Sequence, residues 1–553
     1  MSNICIGARK ALAPLLMGFV AVFALSSCGQ DEPAASNDSS NPTPSSSPAG
    51  EQVQATGKQY QRDDAITAMT AIELQTAIAA GELKAAAVTS AFLERIYRLD
   101  AGKDGFNAVI EVNPQAMDIA GALDQQLAAG GAAGPLFGVP VLIKANIDTA
   151  DEMATSAGSI ALADHHATTD AYVVSLIRAA GGVVLGKTNL SEWANFRSTQ
   201  SSSGWSSLGG QTKNAWNKSA NPCGSSSGSA VAVAIRLAPL ALGTETNGSI
   251  TCPAGANGVF GLKPTMGRVS RSGVIPIANS MDMVGPMART AADLALLMRV
   301  IDGSDPQDRA TTIRFKKYGI LPPSFNGSLK GMRIGVWRTY TGADTNPKVN
   351  ALLDEMVAQL TALGAEITDP IEMTVGDLGS QAYKIMLYEF REGINAYLEG
   401  ISDPAAPKSL SDLIAFNKNN ASRVLAHFNQ DILEAAQAVN WTPAEYGQAL
   451  TKVRGAANLQ IELALRKHGL TQLISVSNGP AWSTDLENGD DFSIASSTLP
   501  AISGHPHLTV PMGLVDGLPI GLSIINARSN EFRGLNLAAA VEETRGALIP
   551  PLD

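Results

Sequence analysis

The feature that most constrains the fold of this chain is an alternation of helical and strand-like segments along most of its 553 residues. Apolar residues recur at helical spacing in one kind of segment, and short apolar runs form the other kind. Such alternation predicts an α/β protein, in which a sheet is covered by helices on both faces. The clearest helical segments are 68–100, 113–129 and 171–180, and the clearest strands are 106–110, 138–143 and 182–189.

A long helical stretch interrupts this alternation in the second half of the chain. The periodicity is mostly helical from 346 to 468, and strand-like runs resume at 474–477, 508–511 and 520–524. We interpret residues from about 340 to about 470 as a helical insertion that packs beside the sheet. Such an insertion is expected to supply part of a substrate cleft.

The N-terminus has the pattern of an export signal. Arg9 and Lys10 precede an apolar run from Ala11 to Leu25, which is too short for a comfortable membrane span. The next residues complete the sequence Leu-Ser-Ser-Cys at 25–28, which resembles a bacterial lipoprotein box. We therefore predict a lipoprotein signal peptide over residues 1–27 and a lipid on Cys28. An ordinary secretory signal with an incidental cysteine is the alternative.

The stretch from 28 to 62 predicts a disordered tether, because it is rich in Ser, Pro, Asn, Ala, Asp and Gln and has no apolar periodicity. We predict that residues 63–553 form the folded domain. Gly29 follows the predicted lipid-bearing cysteine where inner-membrane retention signals carry aspartate. By resemblance to the bacterial sorting pattern, this favours a periplasm-facing anchor in the outer membrane of the cell envelope. The lipid is the only membrane contact we expect, and the net charge of −11 argues against nucleic-acid partners.

The stretch most informative about function runs from Cys223 to Pro253 and holds two serine-bearing glycine loops. The first, 224–229, precedes an apolar run at 230–237 that predicts a buried helix. The second occupies 246–249. Glycine and serine permit tight turns and point several N–H groups into one small volume, which suits a developing oxyanion. Taken alone, such loops are also typical of linkers and of phosphate-binding turns.

Three motifs in the same order resemble those of the amidase signature family. The loop CGSSSGSA is similar to the family's GGSSGGS, TETNGSI to its T-D-x-G-G-S-I, and GPLFGVPVLIKANID to its lysine-bearing segment. Ser225 and Ser249 are separated by 249 − 225 = 24 positions, as are the bridging serine and the nucleophile of the family. Within the family, the segment from Gly186 to Trp216 is most similar to bacterial peptide amidases.

The resemblance implies a large twisted mixed β-sheet covered by helices on both faces, and an amide hydrolase that works through an acyl-enzyme without a cofactor or a metal ion. It implies a catalytic triad of Lys144, Ser225 and Ser249, with a cis peptide bond before Ser225. The implied oxyanion hole consists of the backbone N–H groups of Thr246, Asn247, Gly248 and Ser249.

The chemistry of such a triad also follows from the residue types. A serine hydroxyl is a poor nucleophile until a base takes its proton, and lysine serves as that base only when it is neutral. Because a free lysine has a pKa of about 10.4, its surroundings must favour the neutral amine. The apolar run 138–143 is expected to deliver Lys144 into such surroundings, and Ser225 would relay the proton.

The similarity to peptide amidases implies that ammonia is removed from C-terminal carboxamides of peptides. A cleft closed on the leaving-group side has room for an NH2 group and none for a continuing chain, so the discrimination is steric. We predict Ser226, Trp193, Phe196 and Trp205 as substrate-binding residues, with core packing as the alternative for the aromatic ones. Hydrolysis of fatty-acid amides or aryl acylamides, and a non-catalytic or amidotransferase-type role, remain open.

Two further residue pairs carry weaker predictions. Cys223 and Cys252 flank the serine loops and could form a disulfide if the loops converge, but we favour two buried free thiols. His505 and His507 could hold a metal ion or supply the base of a different triad. No carboxylate-rich motif flanks them and no Gly-x-Ser-x-Gly elbow accompanies the serines, so neither role is preferred.

Overall fold

The computed structural model describes residues 57–312, 323, 325–339, 341–342 and 345–552, with side chains from residue 63 onward. The predicted signal peptide and Cys28 lie outside the described residues, as does the predicted tether up to residue 56. The first helix begins at Gly57, within the stretch predicted as tether. No helix within the described ranges is both long and apolar enough to cross a membrane.

One large sheet forms the frame of the protein. The strands, in chain order, are β1 (Val109–Val112), β2 (Pro140–Lys144), β3 (Val183–Thr188), β4 (Trp205–Ser206), β5 (Gly210–Gln211), β6 (Leu240–Glu245), β7 (Phe260–Lys263), β8 (Met283–Ala288), β9 (Arg333–Val336), β10 (Glu366–Thr368), β11 (Gln472–Val476), β12 (His507–Val515) and β13 (Leu518–Asn526). Among the described residues, eleven of them form a sheet in the order β1-β3-β2-β6-β8-β7-β12-β13-β11-β9-β10, and β4 pairs with β5 alone.

The sheet is mixed, as the resemblance implies. Strand β2 is parallel to both of its neighbours, β3 and β6, whereas β8 runs antiparallel to β6 and β7. All five residues of β2 and all six of β6 are buried, because helices cover these strands on both faces. The predicted fold class is therefore confirmed.

The helices that cover the sheet alternate with its strands. They are α1 (Gly57–Ala68), α2 (Ala71–Ala79), α3 (Ala85–Leu99), α4 (Ala116–Ala128), α5 (Tyr172–Ala179), α6 (Glu192–Asn195), α7 (Ser227–Ala234), α8 (Thr251–Asn257), α9 (Ala291–Ile301), α10 (Pro347–Ala362), α11 (Leu378–Glu399), α12 (Leu410–Asn419), α13 (Ala421–Val424), α14 (Asp431–Ala438), α15 (Pro443–Lys467), α16 (Thr498–Ser503) and α17 (Glu531–Arg545). Short 3₁₀ helices span Ile160–Leu162 and Arg309–Thr312.

Five consecutive helices, α11 to α15, separate β10 from β11, and their apolar faces share one hydrophobic cluster with residues of the main body such as Trp193, Trp337 and Ile525. This helical segment is shorter than the stretch predicted from about 340 to about 470. The difference arises because α10 packs on β10, β11 and β12, and β10 extends the edge of the sheet beside β9. The start of α15 is defined locally, since Thr442 and Glu445 form a capping box and Pro443 occupies the first turn.

Candidate active site

Three chain segments meet at one edge of the sheet, where the parallel strands β2 and β6 both end. Lys144 is the last residue of β2, and Ser249 follows β6 by four residues in the turn that leads into α8. Ser225 lies two residues before α7. Ser225 and Ser249 lie 225 − 144 = 81 and 249 − 144 = 105 positions after Lys144 in the sequence. They reach the same site because the carboxyl ends of neighbouring parallel strands lie side by side.

The Lys144 side chain is fully buried and surrounded by oxygen atoms. Its Nζ atom lies 2.8 Å from Ser225 Oγ, 2.8 Å from Thr244 Oγ1 and 3.1 Å from Ser226 Oγ. Burial lowers the pKa of Lys144 well below its usual value, although the carboxylates of Asp282 and Glu245 act in the opposite direction. The surroundings of this lysine therefore favour the neutral amine.

The two serine loops are joined directly to each other. The N–H of Ser226 donates to the carbonyl oxygen of Ser249 at 3.0 Å, and the peptide bond between Gly224 and Ser225 is cis. The carboxylate of Glu245 accepts from the N–H groups of Ile250 and Thr251 at 2.8 and 2.9 Å, which fixes the turn after Ser249. Ser225 is fully buried, whereas Ser249 keeps 9% of its surface exposed toward the cleft.

The turn at 246–249 leaves backbone donors open. In the described part of the chain, no protein atom accepts a hydrogen bond from the N–H groups of residues 247–249. Gly248 has φ +87°, a conformation that disfavours any residue with a side chain, and a Cβ atom there would lie 3.0 Å from Ser497 Oγ. Open donors beside a partly exposed serine have the arrangement that an oxyanion hole requires.

A cleft of about 390 Å³ opens above Ser249. Its floor consists of Cys223, Gly224, residues 246–249 and Cys252, and its walls come from five other parts of the chain. The wall residues are Ala194, Asn195, Phe196, Ser198, Thr199, Ser201, Ser203, Ile277, Met386, Ile432, Trp482, Asn488, Asp490 and Phe492. Helices α11 and α14 thus contribute Met386 and Ile432, in agreement with the predicted role of the helical segment.

Of the three aromatic residues predicted to line the cleft, the structure places only Phe196 there. Trp193 and Trp205 are 2% and 6% exposed and do not border the cleft. Phe196 borders the cleft but is only 4% exposed, and its ring packs in the core with its centroid 5.0 Å from that of Phe390. The rings of His427 and Phe428 lie against Trp205, with centroid distances of 5.4 and 5.0 Å. Core packing, the alternative interpretation, therefore describes these two tryptophans. Residues 193–195 all have positive φ, a left-handed turn that local periodicity does not reveal.

Ser226, also predicted to bind substrate, lies behind the catalytic floor. Its side chain is fully buried, and its Oγ donates to the carbonyl oxygen of Thr244 at 3.0 Å besides contacting Lys144 Nζ. Because Ser226 does not border the cleft, it does not contact a substrate bound there. The structure shows it as a residue that holds the lysine in place.

The preference for free thiols at Cys223 and Cys252 was wrong. The two residues form a disulfide, with their Cα atoms 6.0 Å apart. The serine loops converge enough to bring the cysteines together, which spacing along the chain did not establish. Both half-cystines border the cleft, and Trp482 packs against them.

Several site residues were missed in the sequence. Thr244 and Glu245 belong to the TETNGSI motif, and Asn146, which donates to Thr244 Oγ1 at 3.1 Å, lies in the lysine motif. Asp282 lies outside the three motifs, so no local sequence pattern marked it as a site residue. Its carboxylate accepts from Thr246 Oγ1 at 2.6 Å and from the N–H groups of Ile277 and Ala278 at 2.8 Å, and burial raises its pKa to about 6.

The histidine pair lies away from the cleft. His507 Nε2 is 2.7 Å from Ser523 Oγ, and burial lowers the pKa of His507 to about 3. His505 is buried as well, with Nε2 3.3 Å from Glu462 Oε1. Neither histidine borders the cleft. Within the described ranges, no group of three or more His, Cys, Asp or Glu side chains is arranged to hold a metal ion.

Comparison with known proteins identifies the family to which the chain belongs. The model of the Amidase family matches residues 87–535. The crystal structure of native peptide amidase from Stenotrophomonas maltophilia superposes with a TM-score of 0.82 at 42% identity, over 88% of this chain and 99% of that one. The chain belongs to the amidase family and is an amidase.

Curated relatives show how broad this family is. A probable amidase of Arabidopsis thaliana is 36% identical over 83% of this chain and 86% of its own length. One of the subunits of the glutamyl-tRNA(Gln) amidotransferase of Salinispora tropica is 34% identical over 88% of this chain and 99% of its own. Because members of the family differ in function, membership alone does not identify the substrate of this protein.

Proposed function

We propose that this amidase removes ammonia from the C-terminal carboxamides of peptides, with Lys144, Ser225 and Ser249 as its catalytic residues. The observation that supports this most strongly is the buried Lys144, whose Nζ lies 2.8 Å from Ser225 Oγ beneath the cleft that exposes Ser249. Similarity to a peptide amidase over nearly the full length of that enzyme supports the substrate class.

In this mechanism, neutral Lys144 takes the proton of Ser225 while Ser225 takes that of Ser249. The Ser249 oxygen attacks the carboxamide carbon, and the open N–H groups of the 246–249 turn stabilise the oxyanion. The proton returns through Ser225 to the carboxamide nitrogen, and the C–N bond breaks. Ammonia departs, and the acyl group remains bound to Ser249 as an ester. Water then attacks this ester, releases the peptide as a free acid and restores the Ser249 hydroxyl.

The size of the cleft fits this class of substrate. A volume of about 390 Å³ is near the small end of the range for ligand sites, so it holds a short peptide end and not a folded chain. Apolar walls from Phe196, Met386 and Ile432 give side chains a surface to pack on. The hydroxyls of Ser198, Thr199 and Ser201 donate their protons within the protein, so their oxygens are left to accept hydrogen bonds from peptide N–H groups.

A leaving-group series tests the proposal. One N-acetylated dipeptide is prepared as its primary amide, N-methylamide and p-nitroanilide, and release of ammonia or amine is measured for each. We expect kcat/KM for the primary amide to exceed that of the N-methylamide at least about a hundredfold, because each added methyl must be forced into a closed space. Efficient turnover of the anilide or of a long-chain acyl amide, with the peptide amide intact, would refute it.

The similarity to an amidotransferase motivates a second candidate function, in which ammonia is passed on to a glutamyl-tRNA. The predicted export and the net charge of −11 argue against a nucleic-acid partner. Ammonia appearing in solution in equal amount to the acid product, without any added partner protein or RNA, supports the hydrolase. A strict requirement for RNA would support the alternative.

We also propose that the enzyme is anchored by a lipid on Cys28 and faces the periplasm. The support is the signal pattern that ends at Cys28. Cys28→Ala is expected to move the protein from the membrane to the soluble fraction and to remove a lipid-sized mass increment. Membrane fractionation that does not change in this variant would contradict the anchor.

A further inference from the structure

Asp490 is the single charged side chain among the described residues that line the cleft. It is partly buried, and four donors face its carboxylate. Ser203 N–H lies 2.9 Å and Ser203 Oγ 2.6 Å from its oxygens, and Asn221 Nδ2 and Trp482 Nε1 lie 3.2 Å from Oδ1. All of these donors are electrically neutral.

The charge of Asp490 has no counter-ion among the residues that the structure describes. No ion pair in the described ranges includes this residue, and the cleft lining there holds no Lys, Arg or His. Burial accordingly raises its pKa. Four donors with no competing acceptor favour the ionised carboxylate, because only that form leaves both oxygens free to accept. An uncompensated anion therefore borders the space that a substrate occupies.

Comparison with Asp431 separates the structural role of Asp490 from this charge. Asp431 holds Thr199 as Asp490 holds Ser203, with one oxygen 3.1 Å from the backbone N–H and the other 2.7 Å from the hydroxyl. Both aspartates thus fix a residue of the segment 198–203. Only Asp490 borders the cleft. Asp431 thus shows that an aspartate can fix the segment 198–203 without bordering the cleft, so holding Ser203 does not by itself require the charge of Asp490 at the cleft.

We propose that Asp490 selects cationic substrates, so that peptide amides with an ammonium or guanidinium group near the scissile bond bind in preference to neutral ones. This inference rests on the proposed function and specifies its substrate class. A cationic side chain supplies the missing counter-charge inside a partly dehydrated cleft, where an ion pair is stronger than in water. The same field repels acidic side chains and the carboxylate of the product, which favours product release.

Binding measurements on the Ser249→Ala variant test the proposal without turnover. Isothermal titration calorimetry is carried out with acetylated dipeptide amides that carry lysine, norleucine or glutamate at either of the two positions. At one of these positions we expect lysine to bind about five- to tenfold more tightly than norleucine, and glutamate more weakly than both. The lysine preference should fall as NaCl is raised. Equal affinity of lysine and norleucine ligands at both positions would overturn the inference.

Two further substitutions in the same background assign the preference to one residue. Asp490→Asn should abolish the lysine-to-norleucine ratio, and the matched variant Asp431→Asn should retain it. A general loss of affinity in a variant affects the lysine and norleucine ligands alike, so it cancels in their affinity ratio. If Asp490→Asn does not fold, the NaCl series on Ser249→Ala still tests whether the lysine preference is electrostatic. A ratio that persists in Asp490→Asn refutes the role of Asp490.

The proposed reaction and this inference can fail separately. Charge preference without ammonia release by the parent enzyme refutes only the proposed reaction, and ammonia release without charge preference refutes only this inference.

Discussion

The floor and the walls of the cleft are built in different ways. The floor rests on Lys144 and Ser225, the proposed base and relay, which are fully buried, and Lys144 Nζ is held by Ser225 and by Thr244 near the end of β6. The walls come from segments that lie far apart in the sequence, and Phe492 at their rim is 46% exposed. A rigid floor and a partly exposed wall indicate that chemistry and substrate choice are carried by separate residues. Substitutions should accordingly separate kcat from KM.

The largest effect is expected on the floor. Lys144→Met or Ser249→Ala should lower kcat by at least about a thousandfold, because the members of a proton relay act as a unit. The measurement is steady-state ammonia release. Lys263→Met is a matched control, since Lys263 is also fully buried but donates to the carbonyl oxygen of His505 away from the cleft. It should reduce stability and leave kcat of the folded enzyme nearly unchanged, and near-normal turnover by Lys144→Met would refute the base.

The disulfide joins the two loops of the floor, and its removal should affect stability more than chemistry. Replacing both Cys223 and Cys252 by alanine opens a loop with a sequence separation of 29. Loop-closure entropy then predicts a decrease of about 2–4 kcal/mol in the free energy of unfolding. Urea denaturation of the double variant and the parent protein checks this value. An unchanged unfolding midpoint would show that the loops converge without the covalent link.

Asp282 should affect the pH profile. Its carboxylate raises the pKa of Lys144, and it also holds Thr246 in the oxyanion turn. Glu245 is the other carboxylate that acts on Lys144, and Arg271 is the cation that acts on Asp282. Asp282→Asn should lower the plateau of kcat/KM about tenfold, because the turn loses a charged anchor.

The sign of the pH shift separates an electrostatic role from a structural one. The proposed mechanism requires neutral Lys144, so activity is expected to be lost as the pH falls through the pKa of this lysine. Removal of a negative charge lowers that pKa, so the acid limb of Asp282→Asn should move to lower pH. Asp293→Asn is the control, since Asp293 accepts from the N–H groups of Ala71 and Ile72 far from the cleft. An acid limb that stays in place or moves upward in Asp282→Asn would contradict the electrostatic role.

The smallest effect is expected on the wall. Phe196→Ala should raise KM for an apolar peptide amide about three- to tenfold while kcat changes by less than about twofold, because it removes apolar contact area and no catalytic group. Phe196→Ala and Trp205→Ala both remove a buried aromatic ring, so each should destabilise the protein by about 3–5 kcal/mol. Because Trp205 does not border the cleft, Trp205→Ala should leave KM unchanged. If Phe196→Ala lowered kcat as strongly as a floor substitution, floor and wall would not be independent.

Local sequence patterns were sufficient for the fold class and for much of the floor. Continuous apolar runs identified β2 and β3 because both strands are buried on two faces. The family motifs singled out Lys144, Ser225 and Ser249, and the structure brings the loops that carry them together. These features are readable because they depend on short-range backbone preferences and on residues within one motif.

The rest depended on contacts between distant parts of the chain. Whether Trp205 packs inside or lines a cleft is decided by His427 and Phe428, more than 200 positions away, since 427 − 205 = 222. Asp282, Asp490 and the disulfide likewise gain their roles only when separate segments converge. The candidate catalytic residues were therefore predictable from the sequence, whereas the lining of the cleft was decided by tertiary packing, because its residues come from loops and helices that no local periodicity relates to one another.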